Sequence, residues 1–411
     1  MLQRLIVIVT ISILFSSSLA LAESKKPKPP DKFPPNPLEF TTPDPLLPRS
    51  PKDKKPLPLT PQERQRLEPE LDELNKQAAA KLQAGDEVAA FEIWNRELRL
   101  RRFLGSLAEV QALSRVGAIA WNQNNRQEVV YITQRLQAIQ KQTQQEKKSS
   151  EIDLELWRSL GQAYQNVRSP KQAVEAYNQV LLAVRQQKDT AALVETLKTI
   201  GELHLSWFDY RQAAPVYEEL LSLATSQGEY VNEVTYLQQL AEIYAQTQQS
   251  QQSLNVLNKL GEIYTNENNL IKIPELKLAI ASDYESLGKT NPSLLVEAFK
   301  NYQEAYTTAW QLQEFVSAGE ALQKIIALYR SQGQIDEALE ASQILVDTQT
   351  QAANFYGLMQ AYDEIGQLYL QRKEYPQALT AFQKGLQLAQ QLKHQEVYFT
   401  EQIKKVPKPN F

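Results

Sequence analysis

The sequence predicts an all-α fold, a solenoid of about eight stacked helix-turn-helix repeats. Two observations lead to this prediction: a pattern that returns every 40 residues, and apolar residues that recur at helical spacing with no segment typical of a strand. A period of this length is typical of stacked repeats rather than of a single globular core. The pattern opens at the small residues Gly161, Gly201, Ala241 and Ala281, and returns at Ile326 and Gly366 after one five-residue slip.

The first 22 residues read as a secretory signal peptide. Arg4 precedes an uncharged run from Leu5 to Phe15, and Ala20-Leu21-Ala22 forms a small-x-small pattern that places cleavage after Ala22. The sequence therefore predicts export to a periplasm or a comparable lumen. The alternative is an uncleaved N-terminal membrane anchor, although the apolar run is only about half the length that a spanning helix needs.

Residues 23–59 are predicted to form a proline-rich disordered linker. Thirteen of the chain's 21 prolines lie between residues 23 and 61. Proline fixes φ and removes a backbone donor, so neither a helix nor a central strand is expected there. Composition leaves two roles open for this extended segment: a spacer, or a docking tail for a proline-binding module.

The folded part is predicted to begin at Thr60 and to run as a solenoid over residues 60–395. Thr60 suits a helix N-cap, Pro61 the first helical position, and Glu63 the closing residue of a capping box. Residues 396–411 are predicted to add a capping helix and a basic, proline-containing tail.

The clearest repeat consists of two helices between residues 157 and 177. One face of its first helix carries Trp157, Leu160, Gly161 and Tyr164, at positions i, i+3, i+4 and i+7. Ser169 and Pro170 are expected to start the second helix, whose inner face carries Ala173 and Tyr177. The small residue at position 161 is expected to let a neighbouring helix approach closely.

This pattern, W-x-x-L-G-x-x-Y followed by A-x-x-x-aromatic, resembles that of the tetratricopeptide repeat family. The resemblance implies a right-handed α-solenoid whose first helices line a concave groove. The period here exceeds the common period of about 34 residues by about six. We expect these extra residues to lengthen the second helix of each repeat or the turn after it.

The groove implied by the resemblance has a polar, glutamine-rich and mildly acidic lining. Such a lining suits an extended peptide or a polar helix held by many weak contacts. The alternative is a hydrated surface without a dedicated ligand, because polar side chains cover most exposed helix faces. The candidate partner-binding residues are Arg158, Gln162, Gln165, Asn166, Lys198, Glu202, Gln238, Glu242, Gln323, Arg330 and Gln367.

The densest basic cluster consists of Arg96, Arg99, Arg101 and Arg102. It is a candidate anionic contact, with lipid head groups at a membrane surface or with an acidic partner. The alternative is the favourable placement of cations near a helix C-terminus. Trp207-Phe208 leaves a similar choice open, between an exposed aromatic anchor and core packing.

Composition argues against several classes of function. A net charge of −4 provides no basic field for nucleic acid, and the chain has no cysteine and only two histidines. The sequence lacks a glycine-rich phosphate loop and a nucleophile motif, so we expect neither a cofactor nor a metal site. The prediction is a non-catalytic protein–protein interaction scaffold in the bacterial envelope. The alternatives are a chaperone-like assembly or processing factor for envelope complexes, and an enzyme; the oligomeric state stays open.

Overall fold

The computed structural model describes residues 36–39, 44–48, 59–145 and 153–407. The predicted signal peptide and its cleavage site at Ala22 lie outside these residues, as does the end of the basic tail. Within the described ranges the chain forms seventeen α-helices and no strand. The helices are α1 (Pro61–Gln83), α2 (Glu87–Arg101), α3 (Ser106–Asn122), α4 (Arg126–Gln145), α5 (Leu154–Asn166), α6 (Pro170–Gln187), α7 (Thr190–Ser206), α8 (Tyr210–Gln227), α9 (Tyr230–Gln246), α10 (Ser250–Asn266), α11 (Ile273–Gly288), α12 (Leu295–Gln311), α13 (Phe315–Ser331), α14 (Ile335–Gln351), α15 (Phe355–Gln371), α16 (Tyr375–Leu392) and α17 (Glu396–Lys405).

Helices α1 to α16 form eight consecutive pairs, and each helix packs against the next one in the chain. This arrangement confirms the predicted all-α solenoid of about eight helix-turn-helix repeats. Helix α17 follows the last pair and covers the range in which the sequence predicts a capping helix. None of the helices in the described residues is both long and apolar enough to cross a membrane.

Within a repeat, a glycine on the first helix receives an aromatic ring from the second. A Cβ atom built on Gly161 would lie 2.6 Å from Cε2 of Tyr177, and one built on Gly201 would lie 2.8 Å from the same atom of Tyr217. Gly366 meets Phe382 in the same way. The small residue is therefore required for the close approach of the two helices, as the repeat pattern predicts.

In the repeat formed by α7 and α8, the extra residues do not lie in the second helix alone. Helix α7 has 17 residues and α8 has 18. A second helix lengthened alone would exceed the first by well over a turn, since a turn takes about 3.6 residues. In this repeat the added length is shared by both helices, so the expectation of a longer second helix or a longer turn does not hold here. In the preceding repeat α6 has 18 residues and α5 has 13, as that expectation requires.

The turns between helices also repeat with the 40-residue period. Arg168, Phe208 and Gln248 follow the first helices of three successive repeats, and all three have left-handed backbones with φ between 55° and 59°. In all three turns the next amide bonds back to the helix, from Ser169 N to Tyr164 O at 2.8 Å, from Asp209 N to His204 O at 2.8 Å, and from Gln249 N to Tyr244 O at 2.9 Å. The turn therefore holds its side chains at a fixed edge of each repeat.

The five-residue slip is accommodated between α11 and α12. Helix α11 ends at Gly288, and Pro292–Leu294 forms a 3₁₀ turn before α12 begins. At the N-terminal end, Thr60 and Glu63 form the predicted capping box, with the Glu63 amide donating to Oγ1 of Thr60 and the Thr60 amide donating to the Glu63 carboxylate.

Candidate functional site

A row of cavities follows one face of the solenoid. Each cavity lies between two successive odd-numbered helices and has the intervening even-numbered helix as its floor. The volumes are about 640 Å³ between α5 and α7, 470 Å³ between α9 and α11, 670 Å³ between α11 and α13, and 190 Å³ between α13 and α15. The odd-numbered helices are the first helices of the repeats, so this row lies along the predicted groove.

The cavity between α5 and α7 brings together four of the predicted groove residues. Arg158, Gln162 and Gln165 come from α5, and Glu202 comes from α7. The ring of Tyr177 forms part of the floor, and its hydroxyl accepts a hydrogen bond from Nε2 of Gln165 at 3.4 Å. This hydroxyl reaches the groove because Gly161 has no side chain to block the ring.

The same cavity has a mixed electrostatic and aromatic lining. Arg158 and Arg168 supply two positive charges, Glu195 and Glu202 supply two negative charges, and Trp207 is also part of the lining. Trp207 is 48% exposed. Charges of both signs beside an exposed indole can hold a polar segment through several weak contacts.

The cavity between α9 and α11 contains the predicted residues Gln238 and Glu242 above an apolar floor from α10. Nε2 of Gln238 donates to the hydroxyl of Tyr264 at 2.8 Å, which fixes the amide against that floor. Burial raises the pKa of Asp283 in this cavity, although hydrogen bonds from Ser253 and Ser250 oppose the shift.

The cavities beyond α11 continue the polar lining. The one between α11 and α13 contains Glu275, Glu314 and Glu320 together with two lysines, Lys272 and Lys324. This stretch therefore carries three carboxylates and two ammonium groups.

The cavity between α13 and α15 holds the predicted residues Gln323 and Arg330. Nη1 of Arg330 lies 2.9 Å from Oε1 of Glu364. Burial raises the pKa of Glu364, and the charge of Arg330 opposes this rise.

Three predicted groove residues contact neighbouring repeats or the cap. Nδ2 of Asn166 donates to Oγ of Ser114 on α3 at 2.9 Å. Nζ of Lys198 lies 5.9 Å from the ring centroid of Tyr236 on α9, within reach of a cation–π contact. Nε2 of Gln367 lies 3.5 Å from the hydroxyl of Tyr398 on α17. These three side chains do not line the described cavities.

Sequence reasoning did not include Arg168 and Tyr177 among the groove residues. Arg168 lies in a left-handed turn, outside the helical register from which the groove positions were counted. Its guanidinium carbon lies 5.9 Å from the ring centroid of Trp121, so this edge of the repeats carries a cation over an exposed indole. The 40-residue recurrence of the turn, applied to turn positions as well as helix positions, would have identified it.

The predicted arginine cluster on α2 contacts the chain's own proline-rich segment. We define the N-terminal strap as residues 36–39 and 44–48, the two described parts of the predicted linker. Arg96 pairs with Asp44 of the strap at 2.8 Å. Arg99 donates to the carbonyl oxygen of Pro37, and Arg102 to that of Leu38.

Arg101 contacts carboxylates of the solenoid instead of the strap. Its guanidinium lies 2.5 Å from Asp72 on α1 and 3.1 Å from the buried Glu97 on α2. Arg102 also pairs with Glu109 on α3 at 3.0 Å, in addition to its contact with the strap. The candidate anionic contact thus consists of three arginines that meet the strap and one that joins α1 to α2. Among the described residues there is no group of three or more His, Cys, Asp or Glu side chains that could hold a metal ion.

Comparisons with known proteins give structural similarity at low sequence identity. No family model matches the sequence, and no curated protein matches it. BtubC from P. vanneervenii is 18% identical, with a TM-score of 0.37 over 59% of this chain and 93% of BtubC. MamA is 20% identical, with a TM-score of 0.36 over 47% of this chain and 96% of MamA. A putative kinesin light chain from Podosopora anserina with TPR-like repeats is 16% identical, with a TM-score of 0.34 over 49% of this chain and 96% of its own.

Proposed function

We propose that this protein is a non-catalytic interaction scaffold that binds an extended peptide or a polar helix of a partner protein along its concave groove. The observation that carries the proposal is the row of four cavities between successive odd-numbered helices. An extended segment can lie across such a row and place successive side chains between the helices, which a compact ligand cannot do.

The charges along the groove give the bound segment a direction. In the cavity between α5 and α7, Arg158 and Arg168 balance the charges of Glu195 and Glu202, and an acidic side chain of the partner fits beside the two arginines. Around the next described cavity Glu242, Glu275 and Asp283 outnumber the single cation Lys272, so a basic side chain fits there. We therefore propose a partner segment with an acidic residue towards α5 and a basic residue towards α11.

We further propose that the scaffold works in the bacterial envelope. This part of the proposal rests on the signal-peptide pattern that ends at Ala22. The proline-rich residues after that point would then lie between the export signal and the solenoid. Such a position suits a protein that presents a binding groove outside the cytoplasm.

The proposal is tested by selecting binders from a random peptide library on the purified mature chain, followed by charge reversal in the groove. Arg158 is exposed, so Arg158→Glu is expected to leave the fold intact. It should weaken the binding of the selected peptides by about tenfold or more, the effect of losing about one charge-assisted contact. Peptides whose acidic residue is changed to lysine should recover affinity for this variant.

The matched control is Arg185→Glu. Arg185 is also exposed and pairs with Glu219 at 2.6 Å, outside the residues that line the cavities. It should bind the selected peptides as the wild-type chain does. Equal losses in the two variants, or selected peptides that do not respond to Arg158→Glu at all, would contradict binding in the groove.

A further inference from the structure

The N-terminal strap contains the same short turn twice. Asn36-Pro37-Leu38 and Asp44-Pro45-Leu46 both place a short polar side chain before a proline and a leucine. In each turn the side-chain oxygen of the first residue accepts the amide of the third, at 2.9 Å for Leu38 and 3.0 Å for Leu46. The carbonyl of the first residue also accepts the amide of the fourth. Proline at the second position fixes φ for this Asx turn, so the shape is encoded locally.

Arginines spaced three residues apart on the α2 side receive the two turns. Nε and Nη2 of Arg96 donate to both oxygens of Asp44, at 2.8 and 3.0 Å, in a bidentate pair. Arg99 and Arg102 donate to the backbone carbonyls of Pro37 and Leu38, both within the first turn. The site therefore binds both a carboxylate and the carbonyl groups that a tight turn exposes.

Leucines anchor both turns in the solenoid. Leu38 is 1% exposed and belongs to the same core cluster as Trp94 and Leu98 of α2. Leu47, which follows the second turn, is 5% exposed and packs in a separate cluster with Leu71 of α1. Each turn thus combines one buried leucine with polar contacts at its rim, as specific peptide-binding sites do.

Electrostatics support a specific contact at Asp44. Burial by itself would raise the pKa of Asp44. The hydrogen bonds from Arg96 and the Leu46 amide, together with the charges of Arg96 and Arg99, outweigh burial and hold that pKa below its usual range. The carboxylate of the strap is therefore held in its charged form by the arginines of α2.

We propose that the face formed by Arg96 and Arg99 of α2 and by Arg102 directly after it, with its two leucine sites, is a peptide-docking site for paired Asx-Pro-Leu turns, and that the chain's own strap is its ligand in cis. The proline-rich segment is then a docking tail rather than a passive spacer, and the module that it binds is the first repeat of the same molecule. Bound in this way, the strap attaches residues N-terminal to 36 at a fixed point on the solenoid.

The first experiment separates the strap from the solenoid covalently. A site for a specific protease replaces residues 51–56 of the full mature chain, and the strap fragment carries a fluorophore at its N-terminus. After cleavage, the fragment should stay with the solenoid at micromolar concentration and should be displaced by an unlabelled synthetic peptide of residues 36–48. Asp44→Ala and Arg96→Gln should each weaken retention by about tenfold or more.

Two further variants separate charge from turn shape. Asp44→Asn keeps an acceptor for the Leu46 amide, as Asn36 does in the first turn, but removes the carboxylate that Arg96 holds. Its retention should therefore fall between those of the wild-type chain and Asp44→Ala. Arg185 on α6 pairs with Glu219 on α8. The control Arg185→Gln removes this pair and should not change retention of the strap.

A second measurement follows the uncut chain. The protein has no cysteine, so Leu38→Cys provides a single thiol at a buried strap position. The rate of its reaction with a thiol reagent reports opening of the strap. Asp44→Ala should raise this rate by about tenfold, and Arg185→Gln should leave it unchanged.

The outcomes are distinct. The proposal is supported if the cut wild-type strap stays bound to the solenoid and the Asp44 and Arg96 variants bind it more weakly. Immediate release of the cut wild-type strap, with no rebinding of the free peptide and equal thiol reactivity in all variants, overturns the docking site. A dimeric uncut chain in which labelled straps exchange between copies overturns the assignment in cis. Far-UV circular dichroism checks that the cut solenoid keeps its helices.

Discussion

The close contact between Gly161 and Tyr177 predicts that one added methyl group destabilises the third repeat. A Cβ atom at position 161 would lie 2.6, 2.7 and 2.9 Å from three atoms of the Tyr177 ring. Overpacking of this kind costs about 1–3 kcal/mol, because a packed ring cannot move without shifting its neighbours. Replacing glycine by alanine within a helix returns about 0.5–1 kcal/mol. Because three ring atoms would lie within 2.9 Å, we take the upper half of the overpacking range, and the net expectation for Gly161→Ala is a loss of about 1–2 kcal/mol.

A double-mutant cycle with Tyr177→Leu isolates the steric part of this cost. The next repeat but one carries alanine and leucine at the corresponding positions, Ala241 and Leu257, so the chain itself offers the relaxed pair. With leucine at position 177, the change Gly161→Ala should stabilise the repeat by the helix-propensity gain alone. The coupling energy between the two positions should then be about 1–3 kcal/mol.

The assay is hydrogen exchange followed by mass spectrometry, because repeats open locally and a single unfolding transition is not expected for a long array. Peptides from α5 and α6 should show an opening constant raised by about 5- to 30-fold in Gly161→Ala. Peptides from α15 and α16 serve as an internal reference, since they lie far along the chain. If Gly161→Ala is as stable as the wild-type chain when tyrosine is present at position 177, the steric reasoning is refuted.

Two further predictions concern a buried carboxyl and the export signal. Glu128 is buried on α4 beside Asn95. Burial raises the pKa of Glu128, and the hydrogen bond from Asn95 opposes the rise. Oε1 of Glu128 and Oδ1 of Asn95 have no hydrogen-bond partner. Glu128→Gln should raise the free energy of unfolding near neutral pH by about 1–3 kcal/mol. The stability advantage of Glu128→Gln should shrink as the pH falls through the raised pKa of the wild-type carboxyl, because that carboxyl then takes up its proton in the folded state. Chemical denaturation at several pH values measures the difference in the free energy of unfolding. An advantage that grows towards acidic pH would contradict the assignment. If the signal peptide is cleaved as predicted, the exported chain begins at Glu23 in N-terminal sequencing, whereas an intact N-terminus in the membrane fraction would favour the anchor.

The interior of the solenoid could be predicted because it depends on size at fixed spacings. Residues 16 positions apart on the paired helices are complementary in volume: Gly161 with Tyr177, Ala241 with Leu257, and Ile326 with Ser342. A large residue on one helix stands opposite a small one on the other, so the pair keeps a constant total volume. This regularity is visible without coordinates, and it fixes both the pairing of the helices and the repeat.

From the sequence, the helix face that lines the groove could be predicted, but the contacts and cavities within the groove could not. Helical periodicity places Arg158 and Gln162 on that face, and the structure brings them into one cavity. The partners of Asn166 and Gln367 come from α3 and α17, which belong to other units of the array. Spacing within one repeat contains no information about these neighbours. The volume of each cavity likewise depends on the gap between successive odd-numbered helices, which packing sets.

The two ends of the solenoid pose the same physical problem, and the chain solves it in two ways. A terminal repeat lacks a neighbour, so part of its apolar surface needs another cover. At the C-terminal end α17 provides it, with Phe399 against Gly385, and its helical periodicity made it predictable. At the N-terminal end the cover is the strap, whose buried leucines are attached to Asx turns and held by arginines of α2. Such turns have no hydrophobic period, so a search for helices assigns them to a linker. The sequence signal that reveals them is the doubled Asx-Pro-Leu motif. The structural signal is a set of arginines whose carboxylate and carbonyl partners lie more than 50 residues away along the chain.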